Sequence, residues 1–370
     1  MKKLLYLLLS LVFVLSLSAF IACDNPTGKG DSGLKIRKID GVYTVIDYVP
    51  EEGVTELTID TIDGKEIGAI KKGAFSGNAS LTKITVGSSV EEIGEGAFAN
   101  MKSLEEITLP FVGFKKDAVN DERLFGHAFY TTEEYDEGKG YSVTQNYSES
   151  GTISYYLPST LKTVNIVAIE NYELPRYAFS GISRIETITL QGTITKISDN
   201  AFSDCTGLKK VVISDEVAVI GNNAFKNCLK LKGDLGTTDT AVVKFTASSK
   251  LTKLCNSAFE NTKLVNVTLP NLVETIGEHS FSNSEVEEVI LSAEIKTIGH
   301  YAFYNATKLE SIKLSNVESI GIASFQGCES LKTIEFGGDT TAWGNVTKGA
   351  SWNKDVVATL VKCSNGDVAL

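Results

Sequence analysis

Residues 298–314 read Ile-Gly-His-Tyr-Ala-Phe-Tyr-Asn-Ala-Thr-Lys-Leu-Glu-Ser-Ile-Lys-Leu, and this stretch decides the fold. It has two parts. An isoleucine precedes the phenylalanine of an Ala-Phe pair by five residues, and an alternating Leu-x-x-Ile-x-Leu run follows. The alternation predicts a strand that turns Leu309, Ile312 and Leu314 inward and leaves the residues between them to solvent. One such unit cannot bury its own apolar face, so it needs neighbours of the same kind.

The same unit recurs along most of the chain. Its phenylalanine always follows Ala or Ser and occurs at Phe75, Phe98, Phe179, Phe202, Phe225, Phe259, Phe281, Phe303 and Phe325. Most of these positions are 22 or 23 residues apart, with gaps of 81 and 34 residues at two places. A fixed period of this length is typical of solenoids, in which stacked coils bury a continuous core. The sequence therefore predicts a leucine-rich repeat solenoid of about nine to ten coils of 22–23 residues, with parallel strands on one face.

The repeated unit, I-G-x-x-A-F-x-x-C/N-x-x-L-x-x-I-x-L, resembles the BspA-like leucine-rich repeat of surface (lipo)proteins from host-associated bacteria and some protists. The resemblance covers residues 34–370, because both ends also resemble the caps of that family. It implies a surface protein that binds host matrix proteins, host cells or other bacteria. These functional expectations come from the resemblance and not from the spacing of residues.

The sequence divides into segments of different composition. The predicted boundaries are a signal peptide (1–22), a lipidated cysteine with a flexible tether (23–33), an N-terminal cap (34–67), the solenoid (68–336) and a C-terminal cap (337–370). Insertions are expected near residues 111–160 and 232–250, where the period breaks. The C-terminal segment holds both tryptophans, Trp343 and Trp352, which we interpret as a cover for the last coil's open core rather than as a ligand site.

The N-terminus predicts export. Lys2 and Lys3 precede an uncharged run from Leu4 to Ala22, and Cys23 follows directly. A small residue before a cysteine at the end of such a run resembles a bacterial lipobox, which implies that Cys23 carries the lipid of a membrane-anchored lipoprotein on the cell surface. The alternative is an uncleaved membrane helix, since the apolar run is long enough to span a bilayer.

The insertion at 111–160 is rich in tyrosine, with Tyr135, Tyr141 and Tyr147 as candidate binding residues. The alternative is a loop or hairpin that merely projects from the solenoid. Deletion of residues 131–155 is expected to weaken binding and to leave the thermal transition nearly intact, because loop length itself costs little. Phe129 lies in this insertion without a following strand, and we expect it to contribute less than a regular phenylalanine. The smaller insertion is expected to add a strand at residues 241–246.

The outward residues of the predicted strands form the candidate binding face. The central outward position of successive strands holds Thr85, Thr108, Thr189, Val212, Thr268, Ile290, Lys313 and Glu335. A parallel sheet presents such positions as an extended ladder, which suits a broad protein-binding surface. The alternative is a solvated face, in which threonine occurs because it favours strands.

Composition and motifs disfavour most other functions. The net charge of −11 argues against nucleic-acid binding, which depends on neutralising phosphates. No catalytic, cofactor-binding or small-molecule motif stands out, and three histidines without further ligands at fixed spacing predict no metal site. Cys205 and Cys228, on consecutive coils, are expected to be buried thiols, with a disulfide as the alternative. A surface binding protein is therefore the leading hypothesis, ahead of a self-associating coat component and of an enzyme.

Overall fold

The repeated unit folds into one coil of a β-solenoid, and the coils stack into about 13 turns. The computed structural model describes residues 33–130, 140–238, 240–246 and 248–370. Nearly all regular structure in these ranges is short strands, which we number in chain order. Across the same ranges, no helix is long and apolar enough to cross a membrane. The leucine-rich repeat solenoid predicted from the sequence is thus confirmed.

The Leu-x-x-Ile-x-Leu runs form the first of two parallel ladders, in which each strand pairs with that of the next coil. Its strands are β3 (Glu56–Ile59), β6 (Lys83–Val86), β8 (Glu106–Leu109), β11 (Thr163–Leu174), β12 (Thr187–Ile197), β13 (Lys210–Val212), β15 (Lys232–Gly236), β16 (Val243–Lys244), β18 (Lys263–Thr268), β20 (Glu288–Ile290), β22 (Ser311–Leu314), β24 (Thr333–Phe336) and β26 (Leu360–Cys363). The strand predicted at 241–246 is present as β16. It pairs with β13 on one side and β15 on the other, so the chain doubles back here.

The turns outnumber the predicted nine to ten coils because other segments also join the first ladder. β3 and β26 lie in the segments predicted as caps, and β11 and β16 lie at or beside the predicted insertions. None of these strands follows an Ala-Phe or Ser-Phe pair by the five or six residues that separate the two parts of a regular repeat. Counting phenylalanines therefore undercounts the coils.

The residues before each Ala-Phe pair form the second ladder. Its strands are β2 (Val42–Tyr48), β5 (Lys65–Ile70), β7 (Glu92–Ile93), the ends of β11 and β12, β14 (Val219–Ile220), β17 (Lys253–Leu254), β19 (Thr275–Ile276), β21 (Thr297–Ile298), β23 (Ser319–Ile320) and β25 (Thr347–Lys348). The isoleucine or leucine that ends these strands is buried in each regular coil, as at Ile220, Ile276 and Ile298. The two ladders thus enclose one continuous apolar core.

The phenylalanines stack into a single buried column between the ladders. Neighbouring ring centroids lie 4.8–6.1 Å apart from Tyr48 at one end to Trp352 at the other. From Phe179 to Phe325 the planes of successive rings differ by at most 13°. The backbone N–H of each regular phenylalanine donates to a carbonyl of the next coil, as from Phe202 to Ala224 at 2.8 Å. Every coil is therefore fixed to its neighbour by both ring packing and hydrogen bonds.

The turn around each phenylalanine requires unusual backbone angles. In the coil of Phe202, Asn200 has a φ of 58° and Asp204 a φ of 60°, in the left-handed region that Asn and Asp tolerate better than most residues.

The recurrent glycine after the isoleucine allows the backbones of neighbouring coils to pack closely. A Cβ on Gly299 would lie 2.6 Å from a backbone carbon of Gly277 in the preceding coil. The glycine therefore makes room for the backbone of the neighbouring coil.

The column does not break at the gap of 81 residues. Two short 3₁₀ helices occur there, Asn120–Arg123 and Phe125–Phe129. Phe129 and Phe125 are fully buried, with Phe129 6.1 Å from Phe98 and Phe125 4.8 Å from Phe179. Meanwhile β8 pairs directly with β11, so the insertion adds no strand to the first ladder. The expectation that Phe129 is a lesser member of the core is corrected, because packing in the column does not require a strand in the same coil.

The remaining elements lie at the ends and in the large insertion. β1 (Leu34–Ile39) pairs antiparallel with β2, β4 (Thr61–Ile62) pairs antiparallel with β5, and β27 (Gly366–Ala369) pairs antiparallel with β26. The one α-helix of the described ranges, α1 (Thr340–Asn345), carries Trp343, which packs on both Phe336 and Trp352. β9 (Tyr141–Asn146) and β10 (Thr152–Leu157) form an antiparallel pair within the insertion, called the hairpin below.

Candidate binding surfaces

The eight residues of the predicted binding face lie in one row along the first ladder. Backbone pairing joins Thr85 to Thr108, Thr189 to Val212, and Ile290 through Lys313 to Glu335. The same register adds Asn165 between Thr108 and Thr189, Lys244 after Val212, and Lys362 after Glu335. Thr268 pairs with Ile290. We call these eleven positions the ladder row: Thr85, Thr108, Asn165, Thr189, Val212, Lys244, Thr268, Ile290, Lys313, Glu335 and Lys362.

Exposure changes along the ladder row. Thr85, Thr108, Thr189 and Val212 are half-buried, whereas Thr268 and the members that follow it up to Lys362 are exposed. Ile290 is 46% exposed, which is high for a large apolar residue. The row therefore has a half-buried portion that is rich in threonine. An exposed portion follows, which carries apolar, positive and negative side chains.

Charges beside the ladder row are paired between coils. Lys83 lies 3.3 Å from Glu106, and the side-chain amide of Asn165 donates to the same carboxylate at 3.1 Å. Glu186 lies 2.6 Å from Lys209, and hydrogen bonding to that lysine lowers the pKa of Glu186. Positive and negative groups thus alternate along the stack rather than separating into one charged patch. The surface is suited to a broad contact and not to recognition of a single charge.

The hairpin is fastened to the core by a buried glutamine. Gln145 is completely buried, and its side-chain oxygen accepts from the backbone N–H of Gly126 at 2.9 Å. Its side-chain nitrogen donates to the carbonyl of Ala178 at 3.2 Å. The side chain therefore satisfies two backbone groups where the insertion interrupts the usual contact between coils. Tyr155 of the same hairpin is also buried. These contacts contradict the expectation that residues 131–155 could be removed with little effect on the fold.

The three candidate tyrosines of the insertion have different surroundings. Tyr135 lies within residues 131–139, outside the described part of the chain. Tyr141 is half-buried with the Arg184 guanidinium 4.8 Å from its ring, and burial raises its pKa. Tyr147 is half-buried and packs on the cluster formed by Leu124, Tyr155 and Tyr177. The two described tyrosines thus have intramolecular packing partners, and their role in binding stays a prediction.

Histidines and cysteines occupy structural positions. His279 stacks on Tyr301 with centroids 4.8 Å apart, and Nδ1 of His300 accepts from the backbone N–H of Ile322 at 2.7 Å. No group of three or more metal-ligating side chains converges among the residues that the structure describes. Cys205 and Cys228 are free, buried thiols, which excludes the alternative of a disulfide between them. The Sγ of Cys205 donates to the carbonyl of Phe179 at 3.1 Å, and burial raises the pKa of this thiol.

Comparison with known proteins decides the family. The sequence model of the BspA type leucine rich repeat region matches residues 53–118, 127–232 and 238–347, with six copies. The chain belongs to the BspA-type leucine-rich repeat family. A comparison with curated proteins gives no match. The two breaks between the matched ranges, at residues 119–126 and 233–237, fall within the two insertions.

Several solved structures resemble the chain. A leucine-rich repeat protein from Bacteroides ovatus is 20% identical, with 90% of this chain and 84% of that one aligned at a TM-score of 0.43. A leucine rich cell surface protein from Faecalibacterium prausnitzii is 20% identical, with coverage of 88% and 98% and a TM-score of 0.31. The pneumococcal vaccine antigen PcpA is 17% identical, with coverage of 88% and 85% and a TM-score of 0.34.

Proposed function

We propose that this BspA-type protein is anchored to the bacterial cell surface through a lipid on Cys23 and mediates adhesion by binding other proteins. Its partners in this proposal are host matrix or cell-surface proteins, or proteins of other bacteria. The observation that carries the proposal is the ladder row, a register of outward side chains that runs from β6 to β26 with one position, Gly236 beside Lys244, that has no side chain. A surface of this length suits a macromolecule better than a small molecule.

The ends of the solenoid support binding through the ladder rather than end-to-end assembly. β27 pairs antiparallel with β26 and covers the last strand of the first ladder. Trp352 packs on the last phenylalanine, Phe325, with centroids 6.1 Å apart, and Tyr48 packs on the first, Phe75, at 5.5 Å. We propose that residues 34–67 and 337–370 act as caps, because uncovered coils would expose a sheet edge and core side chains.

Adhesion is tested with the full chain incorporated into lipid vesicles. The vesicles are passed over a panel of purified extracellular-matrix proteins and over host and bacterial cells, and retention is measured against vesicles without protein. Saturable retention on at least one protein or cell surface is expected. A coat component would instead show concentration-dependent self-association by analytical ultracentrifugation, and self-association without retention on any surface would contradict the proposal.

A further inference from the structure

An acidic pocket of about 440 Å³ opens beside the hairpin, away from the ladder row. Its walls include Glu95 from the solenoid, Asp121 and Glu122 from the first 3₁₀ helix, His127 from the second, and Tyr130 and Tyr155. Tyr155 is fixed in place because its hydroxyl donates to the backbone carbonyl of Asp121 at 3.2 Å. The volume is in the range of pockets that enclose small ligands.

His127 is the feature of this pocket that the fold does not explain. It is only 9% exposed and lines the pocket, yet no hydrogen bond joins its ring nitrogens to another described residue. Its ring contact is with Phe114, at 6.0 Å between centroids. A histidine ring that lines a pocket without a partner among the described residues can bond to a ligand or to water there. Burial lowers the pKa of His127, so its ring is neutral near pH 7 and one nitrogen can accept a hydrogen bond.

The pocket is electronegative. Glu95 forms an ion pair with Lys72, but no described lysine or arginine forms one with Asp121 or Glu122. Tyr130 and Tyr155 add aromatic surface, with ring centroids 5.8 Å apart and planes at 83°. Carboxylates together with aromatic rings are suited to an organic cation. The described ligating side chains do not converge as a metal ion requires.

We propose that this pocket receives the arginine side chain of a protein partner. A guanidinium is planar and carries five donors, so it can bond to a carboxylate and to a neutral imidazole while its plane contacts a tyrosine ring. A lysine ammonium is a point charge and matches this set of acceptors less well. Val119, which is 60% exposed at the rim, offers apolar contact to the stem of the incoming side chain. The protein nature of the partner rests on the proposed function, whereas the pocket itself can be tested alone.

The test uses N-acetyl-arginine amide as the probe and the full chain in detergent, labelled with carbon-13 at histidine. The chain has three histidines, so the ring resonances of His279 and His300 are internal controls for His127. Saturable shifts of the His127 resonance, with those of the other two histidines unchanged, are expected at millimolar probe. N-acetyl-lysine amide should bind at least threefold more weakly.

Two variants distinguish binding by the carboxylates of the pocket from a general effect of the protein's negative charge. The double variant Asp121→Asn, Glu122→Gln should weaken probe binding at least tenfold, while Glu310→Gln, an exposed carboxylate on the ladder side, should leave it unchanged. An unchanged thermal transition of each variant confirms that the fold is retained. Absence of a His127 shift at 50 mM probe, equal shifts of all three histidines, lysine binding as tight as arginine, or a shift produced by Ca²⁺ alone would each overturn the proposal. Vesicle adhesion could persist under any of these outcomes, so the two proposals fail separately.

Discussion

Removal of one phenylalanine from the column tests the packing that holds the coils together. Phe202 is fully buried between Phe179 at 5.2 Å and Phe225 at 5.0 Å, with ring planes within 13° of both. Truncation of a buried phenylalanine to alanine typically costs about 3–5 kcal/mol, and two lost ring contacts favour the upper part of this range. We therefore expect Phe202→Ala to lower the free energy of unfolding by about 4–5 kcal/mol. Phe202→Leu fills most of the cavity and should cost less than half as much.

The variant Phe129→Ala tests whether the cost depends on the column alone or also on a ladder strand in the same coil. The structure gives Phe129 a complete place in the column, so its loss should cost about 3–5 kcal/mol, although no ladder strand follows it. Unfolding in urea is followed by far-UV circular dichroism, which reports on all coils, and by tryptophan fluorescence, which reports on the end that holds Trp343 and Trp352. A loss below about 1 kcal/mol for Phe129→Ala, beside a large loss for Phe202→Ala, would refute the reasoning that the column alone determines the cost.

Three other predictions concern single residues. Gln145→Leu leaves the Gly126 N–H and the Ala178 carbonyl unpaired and should cost about 2–4 kcal/mol in urea melts, whereas Thr144→Leu on the exposed side of the hairpin should change stability by less than about 0.5 kcal/mol. Hydrogen bonds from Lys263 and Lys308 lower the pKa of Glu285 to about 2, so its stabilising effect is full above its ordinary pKa of 4.5 and is lost as pH falls toward 2. Glu285→Gln should therefore cost about 1–2 kcal/mol at pH 7 and nothing near pH 2, and a pH-independent difference would contradict this linkage. Cys23→Ser should abolish lipidation, and an unchanged mass of the mature N-terminus and unchanged detergent partitioning would disprove the anchor.

The regular part of the fold could be read from the sequence because each coil repeats the same physical requirement. Phe202 and Ile220 are buried at positions where the neighbouring coils also have a buried aromatic or aliphatic residue. One unit therefore predicts the next. The register of the ladder row from Thr85 to Glu335 followed from the same repetition. Asn165 occupies the corresponding outward place of the alternating run at residues 161–167, so its membership of the row was also visible in the sequence.

The irregular parts could not be predicted because they depend on contacts between unlike segments. Nothing near Gln145 in the sequence indicates that its amide pairs with the backbone of Gly126 and Ala178, 19 and 33 residues away. The position of β16 between β13 and β15 requires the chain to reverse the order of the stack, which a repeat period cannot encode. The burial of His127 beside a pocket depends on the packing of the two 3₁₀ helices, which the sequence does not indicate.

The most direct test of the ladder row as the binding face compares two double variants with the same change in charge. Thr189→Glu with Thr268→Glu alters the ladder row, whereas Thr297→Glu with Thr347→Glu places the same charges on exposed threonines of the second ladder. Each chain is titrated against the matrix or cell-surface protein that retains the vesicles, by surface plasmon resonance. We expect the ladder-row variant to bind at least tenfold more weakly, a change of about 1.4 kcal/mol, and the control to bind within twofold of the natural chain. Equal affinities of the two variants, with unchanged melting of both, would contradict the assignment of the ladder row as the binding surface.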